Sequence, residues 1–176
     1  MQLSRKALNS RWAWTSGLAV ALLAILNLLD TWLRMNSGYG TADLQYMTAG
    51  GIYAAMVAWI SLPNAVLAGF SLGLDFLFMP LYAAALFFGS IAAVDRFAPK
   101  DKRLLRLLAI LSLAPVAAAV FDACENTLQI VMLMNGPDAT LAALAMQATT
   151  AKFTGIVIGL IMTLAGLAGM FWKKAA

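Results

Sequence analysis

The stretch Ala65–Ala93, AVLAGFSLGLDFLFMPLYAAALFFGSIAA, decides the fold class. Asp75 is its only charged residue, and the run exceeds the roughly 20 apolar residues that an α-helix needs to cross the hydrocarbon core of a bilayer. Working outward, three more stretches meet the same test: about Trp12–Trp32, Leu104–Leu133 and Thr149–Trp172. Composition agrees. Hydrophobic residues make up 62% of the chain and charged residues 11%, where soluble domains carry about 45–50% and about 25%. So little polar surface cannot cover a water-soluble fold, whereas lipid solvates an apolar exterior. The expectation is an all-α, integral membrane four-helix bundle forming a single transmembrane domain over residues 1–176. The second and third spans are longer than the core requires, so tilt or extension past the lipid is expected.

Basic residues give the direction. Arg5, Lys6 and Arg11 precede the first span, Arg96, Lys100, Lys102, Arg103 and Arg106 lie between the second and third, and Lys173 and Lys174 follow the fourth. With four spans these clusters share one side, as the positive-inside rule requires. Both termini are therefore expected in the cytoplasm, with the chain in a bacterial cytoplasmic (inner) membrane. The basic start is followed by a long apolar run without a small-residue cleavage site, so it reads as a retained span. The net charge of +4 sits in clusters beside spans rather than along one face, so no nucleic-acid partner is implied.

Residues 34–64 form the segment between spans one and two. Within it Tyr46–Leu62 is apolar enough to imitate a fifth span, but that count would put the cluster from Arg96 to Arg106 outside. The segment is short, holds Gly50-Gly51 and ends at Pro63-Asn64. It is expected to be an interfacial or re-entrant helix with Tyr53 and Trp59 at headgroup depth.

The informative residues are those that lipid should reject. An ionisable side chain at a helix centre costs roughly 2.5–3.5 kcal/mol on insertion scales and turns toward a partner or a cavity. Asp30, Asp75, Asp122, Glu125 and Lys152 all fall in the outer half of their spans under this orientation. Asp122, Glu125, Asn126 and Gln129 are spaced as one stripe of the third helix, and Asn27, Asp30, Thr31 and Arg34 repeat that spacing on the first. On the second, Ser71, Asp75 and Tyr82 fit one side, with Pro80 expected to bend the helix between the last two. These stripes are expected to converge inside the bundle. The candidate ligand-binding cluster is Asp75, Asp122, Glu125, Asn126, Lys152 and Tyr82, with Asn27, Asp30 and Gln129 in secondary roles. An interfacial role for Asp30 and Arg34, a helix-start role for Asp75, and a structural clasp joining Asp122, Glu125 and Asn126 to Lys152 are the plainer readings. Gly155 and Gly159 form a GxxxG step that permits close approach within the bundle or between protomers.

The blocks Leu72-Gly-Leu-Asp-Phe-Leu-Phe78, Phe121-Asp-Ala-Cys-Glu-Asn126 and Ala151-Lys-Phe153, with Tyr82, resemble those of a group of small bacterial four-span membrane proteins without an assigned function. The likeness runs from about Gly38 into the fourth span. It implies that Asp75, Asp122, Glu125, Asn126 and Lys152 belong to one constellation, and it names no substrate. The outer segment departs from the group, whose corresponding stretch is more charged.

Cys124 is alone and histidine is absent. An intrachain disulfide, His-ligated zinc or haem, and a His general base are therefore excluded. No phosphate loop and no GxSxG elbow are present, and no cofactor or resident metal is expected. Three functions remain open. The first is binding or transport of a small ligand, ion or lipid at the polar cluster. The second is a structural or accessory role in a larger membrane complex, or as a homo-oligomer among membrane lipids. The third is an intramembrane lipid-modifying enzyme whose catalytic residues the sequence does not name.

Overall fold

In the computed structural model, residues 4–97 and 101–175 are described, and Lys100 of the interspan basic cluster lies outside them. The described chain is helical, with no strand among the described residues. In order come α1 (Arg5–Ser37), a single 3-10 turn (Asp43–Tyr46), α2 (Ala49–Ala58), α3 (Leu62–Phe97), α4 (Lys102–Leu111), α5 (Ala114–Asn135) and α6 (Ala139–Ala175). Four segments are long and apolar enough to cross a membrane: α1, α3, α4 with α5, and α6. At 1.5 Å per residue the 33 residues of α1 reach about 50 Å, well past a core of about 30 Å. Only 6% of its most apolar window is buried, and Trp14, Leu18, Val20, Leu28 and Trp32 lie exposed along it. An apolar surface of that extent needs lipid around it.

Local chemistry sets the ends. Gly38, at φ 81°, closes α1 with its N–H on the Arg34 carbonyl at 2.9 Å. Gly136, at φ 100°, closes α5 on the Met132 carbonyl at 2.9 Å. Both take the left-handed conformation that glycine adopts without strain. Asp101 caps α4 by accepting from the Arg103 N–H at 2.8 Å, and Asp138 opens α6 by accepting from the Leu141 N–H at 2.8 Å. Pro63 sits in the first turn of α3, where a missing N–H costs nothing.

The third span is not the single helix that its hydropathy suggests. It breaks at Ser112–Leu113, between α4 and α5. Pro115 offers no N–H to the Leu111 carbonyl and its ring crowds that oxygen. The chain tightens instead, with Leu113 N–H on Ile110 O and Val116 N–H on Leu113 O, both at 3.0 Å. Pro80, by contrast, lies inside α3 without ending it.

The chain divides into two compact units, each drawing on all four spans. Unit 1 comprises residues 1–19, 80–119 and 152–176, and unit 2 residues 20–79 and 120–151. Unit 1 is held by small residues. A Cβ on Gly155 would strike the Ala114 carbonyl and Ala118, one on Gly159 would strike Pro115, and one on Gly166 would strike Ala93. The GxxxG step is thus filled within the chain. Polar bonds tie the same helices: Ser90 Oγ donates to Gly159 O at 3.5 Å, and Arg96 Nη1 donates to Gly166 O at 2.7 Å.

Unit 2 has an apolar core of Leu33, Leu44, Ile52, Ala55, Met56, Trp59, Ala68, Met132, Ala142 and Ala145. The expected short helix between the first two spans is present as α2, which buries one face, Ile52, Ala55 and Met56, in this core. Trp59 is completely buried, and its Nε1–H donates to Ser37 Oγ at 3.0 Å and to Tyr39 O at 3.1 Å. The indole of Trp59 therefore makes its polar contacts within the protein. An indole with its N–H satisfied by protein packs as core. Tyr53, on the same helix, is exposed.

Candidate functional site

The polar groups of unit 2 form two hydrogen-bonded nodes. The first is a clasp on the segment that follows α1. Asp30 is 6% exposed. Its Oδ1 accepts the Ala42 backbone N–H at 2.7 Å and the Thr41 hydroxyl at 3.4 Å. Arg34, one turn on, bridges Asp30 at 3.0 Å and Asp43 at 2.8 Å. Asp43 in turn accepts the Gly40 N–H at 2.8 Å. A Cβ on Gly40 would collide with the Asp30 carboxylate, which would have to move to admit one. The Thr41 hydroxyl also lies 3.4 Å from Ser71 Oγ on α3.

The second node is an acid–amide network. Glu125 is fully buried on α5. Its Oε1 accepts from Gln129 Nε2 at 2.9 Å and from Gln45 Nε2 at 3.1 Å. Gln129 is one turn along the same helix, and Gln45 comes from the 3-10 turn that the clasp holds. Beside Glu125, Asn126 donates from Nδ2 to Asp75 Oδ2 at 2.8 Å and to Leu72 O at 3.3 Å, joining α5 to α3. Amide donors on a carboxylate make charge-assisted bonds, which offset part of the cost of an acid inside a span.

The stripe Asp122, Glu125, Asn126, Gln129 turns inward as a whole, with every member at most 3% exposed. The stripe on α1 does not. Asn27 and Thr31 are exposed and satisfy themselves on their own helix, Asn27 Nδ2 on Leu23 O and Thr31 Oγ1 on Asn27 O, each at 2.8 Å. An i−4 carbonyl lets such side chains face lipid, so only Asp30 of that stripe is buried. The structure brings Asp75 and Asn126 together, and Glu125 and Gln129 together. Tyr82 and Lys152 belong to unit 1, where they are 7% and 4% exposed, with Lys152 Nζ 5.5 Å from the centre of the Phe153 ring. Gln45 and Asp43 were not among the sequence candidates. They lie in a loop with no helical period, and no local signal marks them.

Charge divides between the units. Unit 2 holds Asp30, Asp43, Asp75, Asp122, Glu125 and Asp138 against a single basic residue, Arg34. In unit 1 the only acids are Asp95 and Asp101. Among the described residues, no group of three or more acidic or cysteine side chains is placed to hold a metal ion.

Comparison of the chain with protein-family models, with curated proteins and with solved structures finds no match. Its four span-capable helices give the class, a multi-pass helical membrane protein.

Proposed function

We propose that this protein binds a small cationic ligand at the acid–amide network of unit 2, on the outer side of a bacterial cytoplasmic membrane with both termini inside. The charge division between the units supports the orientation, since basic residues favour the cytoplasmic side. The observation that carries the binding reading is Glu125. It is fully buried, and the donors on its Oε1 are neutral amides from Gln45 and Gln129. Those amides fix the orientation of the buried carboxyl group between a span and the segment after α1. One donor, Gln45, sits on a loop segment rather than on a span, so the network reaches the part of the fold best able to admit a ligand. The resemblance to the small bacterial four-span group adds Asp75 and Asp122 to the same proposed constellation.

Thermal unfolding in nanodiscs, with sodium, potassium, choline and spermidine each added, tests the reading. A ligand present at a hundredfold over its Kd stabilises the folded state by about 2.7 kcal/mol. One of these cations is expected to raise the midpoint of the wild type and not that of Glu125→Gln. Asp95→Asn, which removes a surface acid paired with Arg5 at 2.8 Å, should respond like the wild type. If no cation separates Glu125→Gln from the wild type, the network is scaffolding and the accessory role is the better reading.

A further inference from the structure

Unit 1 holds a cleft of about 260 Å³ that the acid–amide network does not use. Its walls come from α1, α3 and α6, and among them are Asn9, Trp12, Gly89, Ala92, Arg96 and Gly166. On each helix the lining positions fall on one face: Asn9 with Trp12, Gly89 with Ala92 and Arg96, and Thr163 with Gly166. The glycines make the hollow. They bring α3 and α6 close: a Cβ on Gly89 would strike Thr163, and one on Gly166 would strike Ala93. The Thr163 hydroxyl is engaged with the Leu86 carbonyl at 3.4 Å, so this wall offers little to a polar ligand. The polar end is made by Asn9 and by Arg96, whose Nη1–H is held on the Gly166 carbonyl at 2.7 Å. A guanidinium carries five N–H donors in a fork that matches a phosphate.

We infer that this cleft is a binding site for an anionic phospholipid, with acyl-chain carbons against the glycine- and alanine-lined wall and the headgroup phosphate at Arg96. Charge selects the occupant. Unit 1 carries eleven basic residues against two acids, Asp95 and Asp101. A zwitterionic headgroup would bring a second cation into that field. Trp12 fits the same picture, because indole rings favour the headgroup level of a membrane. At roughly nine times the volume of one water in the liquid, the cleft admits part of a lipid tail and not a whole lipid.

The test uses the full chain, purified and delipidated. It is offered mixed micelles of phosphatidylglycerol and phosphatidylcholine with matched chains, and retained lipid is measured by mass spectrometry after a detergent wash. One basic residue near a membrane surface is worth about 1 kcal/mol toward an anionic lipid, so the wild type should keep phosphatidylglycerol about fivefold over phosphatidylcholine. Arg96→Gln should lose that preference, and Arg96→Lys should keep most of it. Ala92→Leu, which fills the cleft without touching the charge, should lower retention of both lipids. Glu125→Gln should leave retention unchanged, which separates this site from the acid–amide network. Excess inorganic phosphate should not displace the lipid. No preference in the wild type, an unchanged preference in Arg96→Gln, full retention in Ala92→Leu, or displacement by free phosphate would each overturn the inference. Should Arg96→Gln fail to fold, Arg96→Lys and Ala92→Leu decide the matter.

Discussion

Removing the Asp30 carboxylate should open the segment that carries Gln45, and the structure sets the size of the effect. In Asp30→Ala the Ala42 N–H, now bonded at 2.7 Å, loses its acceptor, which costs about 1–3 kcal/mol if the group stays buried. The ion pair adds less. Arg34 is about half exposed and keeps Asp43 at 2.8 Å, so the lost charge contact is worth about 0–1 kcal/mol. The Thr41 contact at 3.4 Å is long and weak. A total of about 2 kcal/mol raises the open population of the segment roughly thirtyfold. Amide hydrogen exchange in nanodiscs reads this directly. Ala42 and its neighbours should exchange about thirtyfold faster, while the amides of unit 1 keep their rates. Asp30→Asn retains an acceptor for the Ala42 N–H and loses only the charge, so its effect should be about 1 kcal/mol or less. If Asp30→Ala leaves exchange at Ala42 where it was, the clasp does not hold the segment, and Gln45 must reach Glu125 by other means.

Gly40→Ala should reproduce much of the Asp30→Ala effect, since its Cβ collides with that carboxylate, and exchange in the double variant should fall well short of the sum of the two effects. In a Cys124-free background, cysteines placed at Asn36 and Pro137 should react with an impermeant reagent from outside and one at Lys102 should not; labelling at Lys102 overturns the orientation. Gly159→Leu should lower thermal stability by about 1–3 kcal/mol through overpacking against Pro115, with no change in oligomeric state by light scattering. Asn126→Ala and Asp75→Ala should show a coupling of about 0.6–1.7 kcal/mol in a double-mutant cycle, and zero coupling would remove the bond at 2.8 Å from the account of α3–α5 packing.

Most of the architecture is legible from hydropathy alone, because lipid imposes a length and a polarity on each span that few soluble sequences imitate. What hydropathy cannot register is a proline in a run of leucines and alanines, and so Pro115 breaks the third span where the composition gives no warning. The α5 stripe reads correctly because four large polar groups at helical spacing have no local partner except one another. The α1 stripe misleads for the opposite reason: Asn27 and Thr31 have carbonyls one turn back, and a helix can satisfy them without any neighbour. Trp59 shows the limit of residue-type rules. Tryptophan suits both a headgroup and a core, and the choice depends on the Ser37 and Tyr39 oxygens, which approach only when the segment after α1 folds back. Gln45 is invisible for the same cause.

The core around α2 also bears on how the chain is made. Its members come from Leu33 near the end of α1 through to Ala142 and Ala145 on α6, so it cannot close while the ribosome is still synthesising the last span. Synthesis runs at about 5–20 residues per second, and some 80 residues separate Trp59 from Ala142. For several seconds, then, α2 is an apolar helix of 10 residues, too short to span and without its final cover. A nascent chain in that condition is a natural client for an insertion chaperone. A chain truncated before α6 would lack the Ala142 and Ala145 part of that cover, along with the glycine face on which Ala93, Ala114 and Pro115 pack.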